Sequence, residues 1–154
     1  IDDRIKFITD LTNITPNVKF DIYGLNKVQP IWADHYFKTI ANAKMGLNLS
    51  RGAPIKYYSS DRITQIVGNG LVCLIDEKTE YGNFFTNKEM VFYKNTNDLS
   101  EKIIKISSDE KLRKSIAKAG KKKYLKYFNS TKIAKFIIEK SLEIKSNSKY
   151  FWER

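Results

Sequence analysis

Ser59-Ser60-Asp61-Arg62-Ile63-Thr64-Gln65-Ile66-Val67-Gly68-Asn69-Gly70 runs directly into Leu71-Val72-Cys73-Leu74-Ile75 and stops at Asp76. Serine and aspartate at the start are residues whose side chains cap free helical N–H groups, and the glycines at the end are helix terminators. The first part therefore predicts a short helix. The second is apolar without alternation, the pattern of a strand covered on both faces, as in a parallel sheet flanked by helices. A helix delivered into such a strand is the repeating step of an α/β fold.

Working outward, the same step recurs. Upstream, Met45-Gly46-Leu47-Asn48-Leu49-Ser50 reads as a strand preceded by a helix that opens at Pro30 to Asp34 and runs through Ala43. Before that, Val18-Lys19-Phe20-Asp21-Ile22-Tyr23 alternates strictly and halts at Gly24, which predicts a half-buried strand ending in a turn. Asp2 or Asp3 is placed to cap a first helix carrying Ile5, Phe7, Ile8 and Leu11, closed by Asn13 to Asn17 with Pro16. Downstream, Glu89-Met90-Val91-Phe92-Tyr93 predicts a further strand. From Asn97 onward only helices are expected: a stripe of Leu99, Ile103, Ile104 and Ile106, then a helix capped at Ser107 to Glu110 with Leu112, Ile116, Leu125 and Phe128 inward. A break at Asn129-Ser130 precedes a last helix through Ile133, Phe136, Ile137 and Leu142. The expected fold is α/β and Rossmann-like: a mostly parallel sheet with flanking helices and a helical C-terminal tail over about 97–145.

The 154 residues suffice for one domain, and 42% apolar content can fill its core. No apolar run approaches the roughly 18 to 20 residues needed to span a bilayer. One cysteine, Cys73, and one histidine, His35, allow neither an intrachain disulfide nor a His/Cys metal site, so an intracellular, metal-free chain is expected. Cys73 falls in the middle of the buried strand and reads as inert core; His35 has no serine or cysteine partner in a triad pattern. The opening Ile1-Asp2-Asp3-Arg4 has neither an initiator methionine nor a signal-peptide layout, so the chain is expected to be a piece of a longer protein.

Charge is unevenly spread. Residues 1–100 hold 12 basic and 11 acidic side chains; residues 101–154 hold the remaining 16 basic and 6 acidic, a net of +10 out of the total +11. Such a tail is a solvated helical face, a surface for anionic lipid headgroups or a nucleic-acid surface. Of the 28 basic residues 23 are lysine, and the tail has only Arg113 and Arg154, whereas nucleic-acid readers rely on arginine forks and exposed stacking rings. Nucleic acid is therefore the least favoured partner.

In an open α/β sheet, ligands sit beyond the carboxyl ends of the strands, where helix N-termini present unpaired N–H groups. The residues in that position are Gly24 to Asn26, Ser50-Arg51-Gly52 and Asp76-Glu77, with the helix start at Ser59 to Arg62 adding a positive dipole end and a fixed guanidinium. This is an anion site in outline, without a Gly-x-Gly-x-x-Gly or a Gly-Lys-Ser/Thr signature.

The order Asp21-Ile22-Tyr23-Gly24, Tyr36, Ala43-Lys44-Met45-Gly46-Leu47-Asn48-Leu49, Asp61 to Gly70, then the strand at Val91 to Tyr93, Asn97-Asp98-Leu99 and the late Tyr-Phe-Asn-Ser-Thr resembles the C-terminal domain of GT-B glycosyltransferases. The closest flavour is the group-1 subfamily that includes spore-maturation-protein-like enzymes. The resemblance implies a nucleotide-diphosphate-sugar as donor substrate, no cofactor, a separate N-terminal half for the acceptor, and a role in cell-surface glycan synthesis at the inner face of the cytoplasmic membrane, in the cytoplasm. Carried over, Arg62 faces the diphosphate, helped by Arg51; Gln65 stands where the family has a ribose-gripping Glu; Ser60, Asp61 and Gly24 border the ligand. Gly68 and Gly70 would let helix and strand approach closely. Two positions depart from the pattern: Gln65 is an amide that can bond hydroxyls but carries no charge, and Tyr57 stands where a second acid belongs. Family domains also begin with a strand ahead of the first helix, which is expected upstream of Ile1. The alternatives are a basic module that binds nucleic acid or an anionic membrane through the tail, or a domain that keeps the fold without its ligand.

Overall fold

A computed structural model describes residues 3–58, 60–145 and 149–153. Asp2 and Ser59, both expected as caps, lie outside the described residues. Six helices are described, α1 (Asp3–Ile14), α2 (Ala33–Asn42), α3 (Asp61–Gly68), α4 (Thr96–Ser108), α5 (Glu110–Tyr127) and α6 (Ser130–Ser141), with three strands, β1 (Met45–Asn48), β2 (Val72–Asp76) and β3 (Val91–Tyr93). The strands form one parallel sheet in the order β1-β2-β3, with Gly46 opposite Cys73 and Ile75 opposite Phe92. The expected α/β class, parallel sheet and helical C-terminal region are those of the structure.

The unbroken apolar run of β2 is explained by what covers it. Successive strand side chains point to opposite faces, so Cys73 and Ile75 enter one cluster with Ile63, Ile66 and Val67 of α3, while Val72 and Leu74 enter another with Leu99 and Ile103 of α4. Burial pushes the Cys73 thiol up to about 12, against a small opposing pull from the Arg62 charge, so the sulfur behaves as core. Long α5 bridges both clusters, with Ile116 and Ala117 in the second and Tyr124 in the first. Three helices begin on capping side chains, one of them within the cap expected at Ser107 to Glu110: Asn95 accepts from Asp98 N–H at 3.0 Å, Asp109 from Leu112 N–H at 2.8 Å and Asn129, at the expected break, from Lys132 N–H at 3.0 Å.

Close approach of α3 to β1 depends on Gly46. A Cβ built there would stand 2.5 Å from Ile66 Cγ1 and 2.8 Å from its Cδ1, well inside contact distance. The expected roles of Gly68 and Gly70 are different: nothing lies within 4 Å of a Cβ at Gly68, and Gly70 is set apart by its left-handed φ of 78°, which turns the chain from α3 into β2.

Two other expectations need correction. Val18 to Tyr23 keeps its in-and-out alternation, and Val18 and Phe20 pack against the cluster of Val72, Leu74 and Leu99, but the segment joins no ladder. Alternating burial and strand pairing are separate requirements, and only the first is visible in a residue pattern. Ile104 and Leu125, expected on inward stripes, are exposed. The last helix stands where it is expected, and its apolar residues divide: Phe136 turns toward Tyr150 and Trp152 of the chain's end, and Ile133, Ile137 and Ile138 face solvent. That end is held by stacked rings, Tyr127 on Phe151 with centroids 4.2 Å apart and Trp152 on Phe128 at 5.6 Å.

Candidate ligand site at the carboxyl ends of the strands

All three parallel strands run toward one rim of the sheet, and a cavity of about 350 Å³ opens there. Asn48, Leu49, Ser50 and Gly52 line it from the end of β1, Asp76 and Thr79 from the end of β2, Tyr93 and Thr96 from the end of β3, and Asp3, Arg4, Lys6, Phe7 and Asp10 from α1. Its volume lies within the range of small-molecule sites, about 300–1,000 Å³. The rim is fixed by local turn chemistry. Asp76 accepts from the Lys78 N–H at 2.8 Å and Thr79 Oγ1 donates to the Asp76 carbonyl, so the chain turns sharply as it leaves β2. Tyr93 is almost wholly buried, its ring 6.1 Å from that of Phe7, and burial, with the Asp76 charge behind it, raises its phenol above the ordinary value. It stays a neutral donor.

Lining charges are mixed, with Asp3, Asp10 and Asp76 against Arg4 and Lys6; Lys6 and Asp10 pair at 3.0 Å. Carboxylates around a cavity accept hydrogen bonds from hydroxyls, whereas a phosphate needs cations.

Next to this cavity α3 begins. Arg62, from its first turn, donates from Nη1 to the Leu49 carbonyl at 2.9 Å, which ties a guanidinium to the segment leaving β1. Ser60 sits at the N-cap position, but its hydroxyl does not cap; it donates to Asn48 Oδ1 at 2.9 Å. Asn48 is 3% exposed, and its Nδ2 has no hydrogen-bond partner among the described residues. Tyr36 of α2 reaches the same corner: partial burial raises its phenol first, and the Asp61 charge adds to this against a smaller pull from Arg62. Ser60, Asp61 and Arg62 are thus gathered with Asn48, Leu49 and Tyr36.

The other expected residues stand apart. Arg51 is exposed between Ser50 and Gly52, both of which line the cavity, without lining it itself. Gln65 is half-buried on α3 and its carbonyl accepts from Asn69 Nδ2 at 2.7 Å. Gly24 occupies a turn with φ 73°, its N–H bonded to the Val28 carbonyl at 3.1 Å. Of the lining, the residues from α1, with Tyr93 and Thr96, were not foreseen. Their signal is weak because a helix surface with Asp3, Arg4, Lys6 and Asp10 has the composition of any solvated face.

No helix among the described residues is long and apolar enough to cross a membrane. No curated protein and no solved structure matches the chain. A family model described as glycosyl transferase-like matches residues 4–139, from the first turn of α1 to the third-last residue of α6, and so takes in the sheet, the cavity lining except Asp3, and the start of α3. The chain belongs to the glycosyl transferase-like family.

Proposed function

We propose that this chain is the donor-binding, C-terminal half of a GT-B glycosyltransferase of the spore-maturation-protein-like group, and that it holds a nucleotide-diphosphate-sugar at the carboxyl ends of its strands. The acceptor and the general base belong to another half of the enzyme, and the transfer builds cell-surface glycan. The observation that carries the reading is the bond from Arg62 to the Leu49 carbonyl, which keeps a cation against the loop at the strand ends. Arg62 bonds that loop and Arg51 lies within it, neither lining the cavity, while Asp3, Asp10 and Asp76 do line it; this supports a diphosphate held by the arginines and sugar hydroxyls held by the acids. Gln65 bonds the ribose hydroxyls, with Ser60, Asp61 and Gly24 bordering the ligand.

The chemistry is electrostatic. As the bond from the anomeric carbon to the diphosphate oxygen breaks, its electron pair leaves with the diphosphate, and Arg62, Arg51 and the free N–H groups opening α3 stabilise the charge that develops. No cofactor is needed for this step.

A thermal-shift titration with UDP- and GDP-sugars tests the proposal. A ligand at a hundred times its Kd stabilises by about 2.7 kcal/mol, which at roughly 2–4 °C per kcal/mol for a chain of this size is a rise of roughly 5–10 °C. The rise is expected for one nucleotide class and should vanish in Arg62→Ala. Equal shifts in wild type and Arg62→Ala, or no shift with any nucleotide-sugar, would refute it.

A further inference from the structure

The last helix has its apolar side on the wrong face for a soluble domain. At 3.6 residues per turn, Ile133, Ala134, Ile137, Ile138 and Leu142 occupy roughly half the circumference of α6, and the large ones are 38%, 56%, 53% and 68% exposed in order. No residue of α6 is buried, and the side that packs inward carries Phe136 and Glu139, which meet Tyr150. Just past the helix, Ile144 is exposed as well. A contiguous aliphatic surface of this kind marks an interaction site rather than ordinary surface variation.

The charges around it identify the occupant. By the same helical spacing Lys140 borders the arc beside Ile133 and Ile137, and Lys135 borders it on the other side beside Leu142. Both lysine side chains are more than half exposed and pair with more sheltered carboxylates, Lys135 with Glu139 at 3.6 Å and Lys140 with Glu153 at 2.7 Å, so their long stems hold the ammonium groups at the surface within reach of a further anion. Lys132 lies behind them, and the last 54 residues carry a net charge of +10. A half-aliphatic helix edged by lysine has the design of a segment that lies in the plane of a membrane interface. Nucleic acid fits poorly, because the exposed side chains are aliphatic and offer no ring for a base to stack on. A second copy fits poorly too: twelve residues span about 18 Å, short of what an interface of about 1,200 Å² requires, and the lysine edges of two copies would face each other.

We propose that α6 docks its Ile133–Leu142 face among the headgroups of an anionic bilayer, parallel to the surface, with Lys135 and Lys140 on lipid phosphates. This requires no nucleotide and stands whether or not the donor site is occupied.

The test is co-sedimentation of the full chain with vesicles of equal parts phosphatidylglycerol and phosphatidylcholine, beside vesicles of phosphatidylcholine alone. Wild type should partition onto the anionic vesicles and lose most of that binding as salt rises from about 0.05 to about 0.5 M. Ile137→Glu/Leu142→Glu, at exposed positions where folding is retained, should bind about tenfold more weakly or less. Ile104→Glu, which changes an exposed isoleucine on α4, should bind as wild type does and so controls for added charge. Retention of Ile137→Glu/Leu142→Glu at the wild-type level, equal binding to neutral vesicles, or a wild type that ignores both would overturn the proposal. So would a concentration-dependent dimer that the same double substitution abolishes, which would assign the face to a second copy.

Discussion

Gly46→Ala should loosen the sheet where the ligand end is built. The added methyl would stand 2.5, 2.8 and 3.0 Å from Cγ1, Cδ1 and Cγ2 of Ile66, a side chain only 3% exposed and fixed between α3 and β2. Ordinary carbon contacts begin near 3.5 Å, so Ile66 or the whole of α3 must retreat by about 1 Å. Overpacking of this kind costs about 1–3 kcal/mol. Ile66→Ala removes all three clashing atoms but leaves a cavity, at about 2–5 kcal/mol. If the clash is the cause, the double variant Gly46→Ala/Ile66→Ala should be more stable than the sum of the single losses predicts, by about the 1–3 kcal/mol of the relieved clash. Urea unfolding followed by circular dichroism supplies the four free energies. Additivity within about 0.5 kcal/mol would show that the glycine is not needed for helix–strand approach. The effect also reaches the candidate site, because a displaced α3 carries Ser60 and Arg62 away from Asn48 and Leu49, so the nucleotide-sugar affinity proposed for it should fall along with stability.

Asn48→Leu, of similar shape, removes a buried Nδ2 that has no partner among the described residues and leaves the Ser60 hydroxyl partly in solvent, so stability should be unchanged or higher by up to about 1 kcal/mol; a loss above about 2 kcal/mol in urea unfolding would mean that the amide is satisfied in solution. Glu89 offers a pH test. Burial alone would raise its carboxyl, but the N–H and hydroxyl of Thr86 and the ammonium of Lys123 outweigh burial and hold it below the ordinary value. A depressed folded-state value stabilises above the unfolded carboxyl range, near pH 4.3, and that contribution is lost as pH falls through the folded value. Glu89→Gln should accordingly be less stable than wild type at neutral pH, with the gap closing in acid; a gap that stayed constant from neutral pH into acid would argue against the ionic origin.

What could be read from the residues divides along physical lines. The buried strand at Leu71 to Ile75 was legible because an apolar run without alternation has one economical explanation, and both faces of β2 are indeed covered. The cap at Asp109 and the break at Asn129 were legible because both are set locally, the cap by a bond that spans three residues. Ser60 misled for the complementary reason: its hydroxyl had a local partner to choose, and a residue twelve positions away, Asn48, took it instead. The unpaired stretch at Val18 to Tyr23 and the outward face of α6 were hidden because both depend on which surface comes alongside, a property of assembly and not of periodicity. At the candidate site, the loops after β1 and β2 were foreseen from chain order alone, while the contribution of α1 needed three-dimensional knowledge of where a charged helix lies.

The ring stack at the end of the chain provides an optical reporter. The protein has two tryptophans, and they occupy opposite environments: Trp32 is 69% exposed, whereas Trp152 is wedged among Phe128, Phe136 and Tyr150. Replacing Trp32 by phenylalanine would leave a single indole whose emission colour follows the seating of the terminal aromatic latch against the last two helices. Detachment of that latch could then be watched separately from melting of the sheet, in one cuvette and without an added dye.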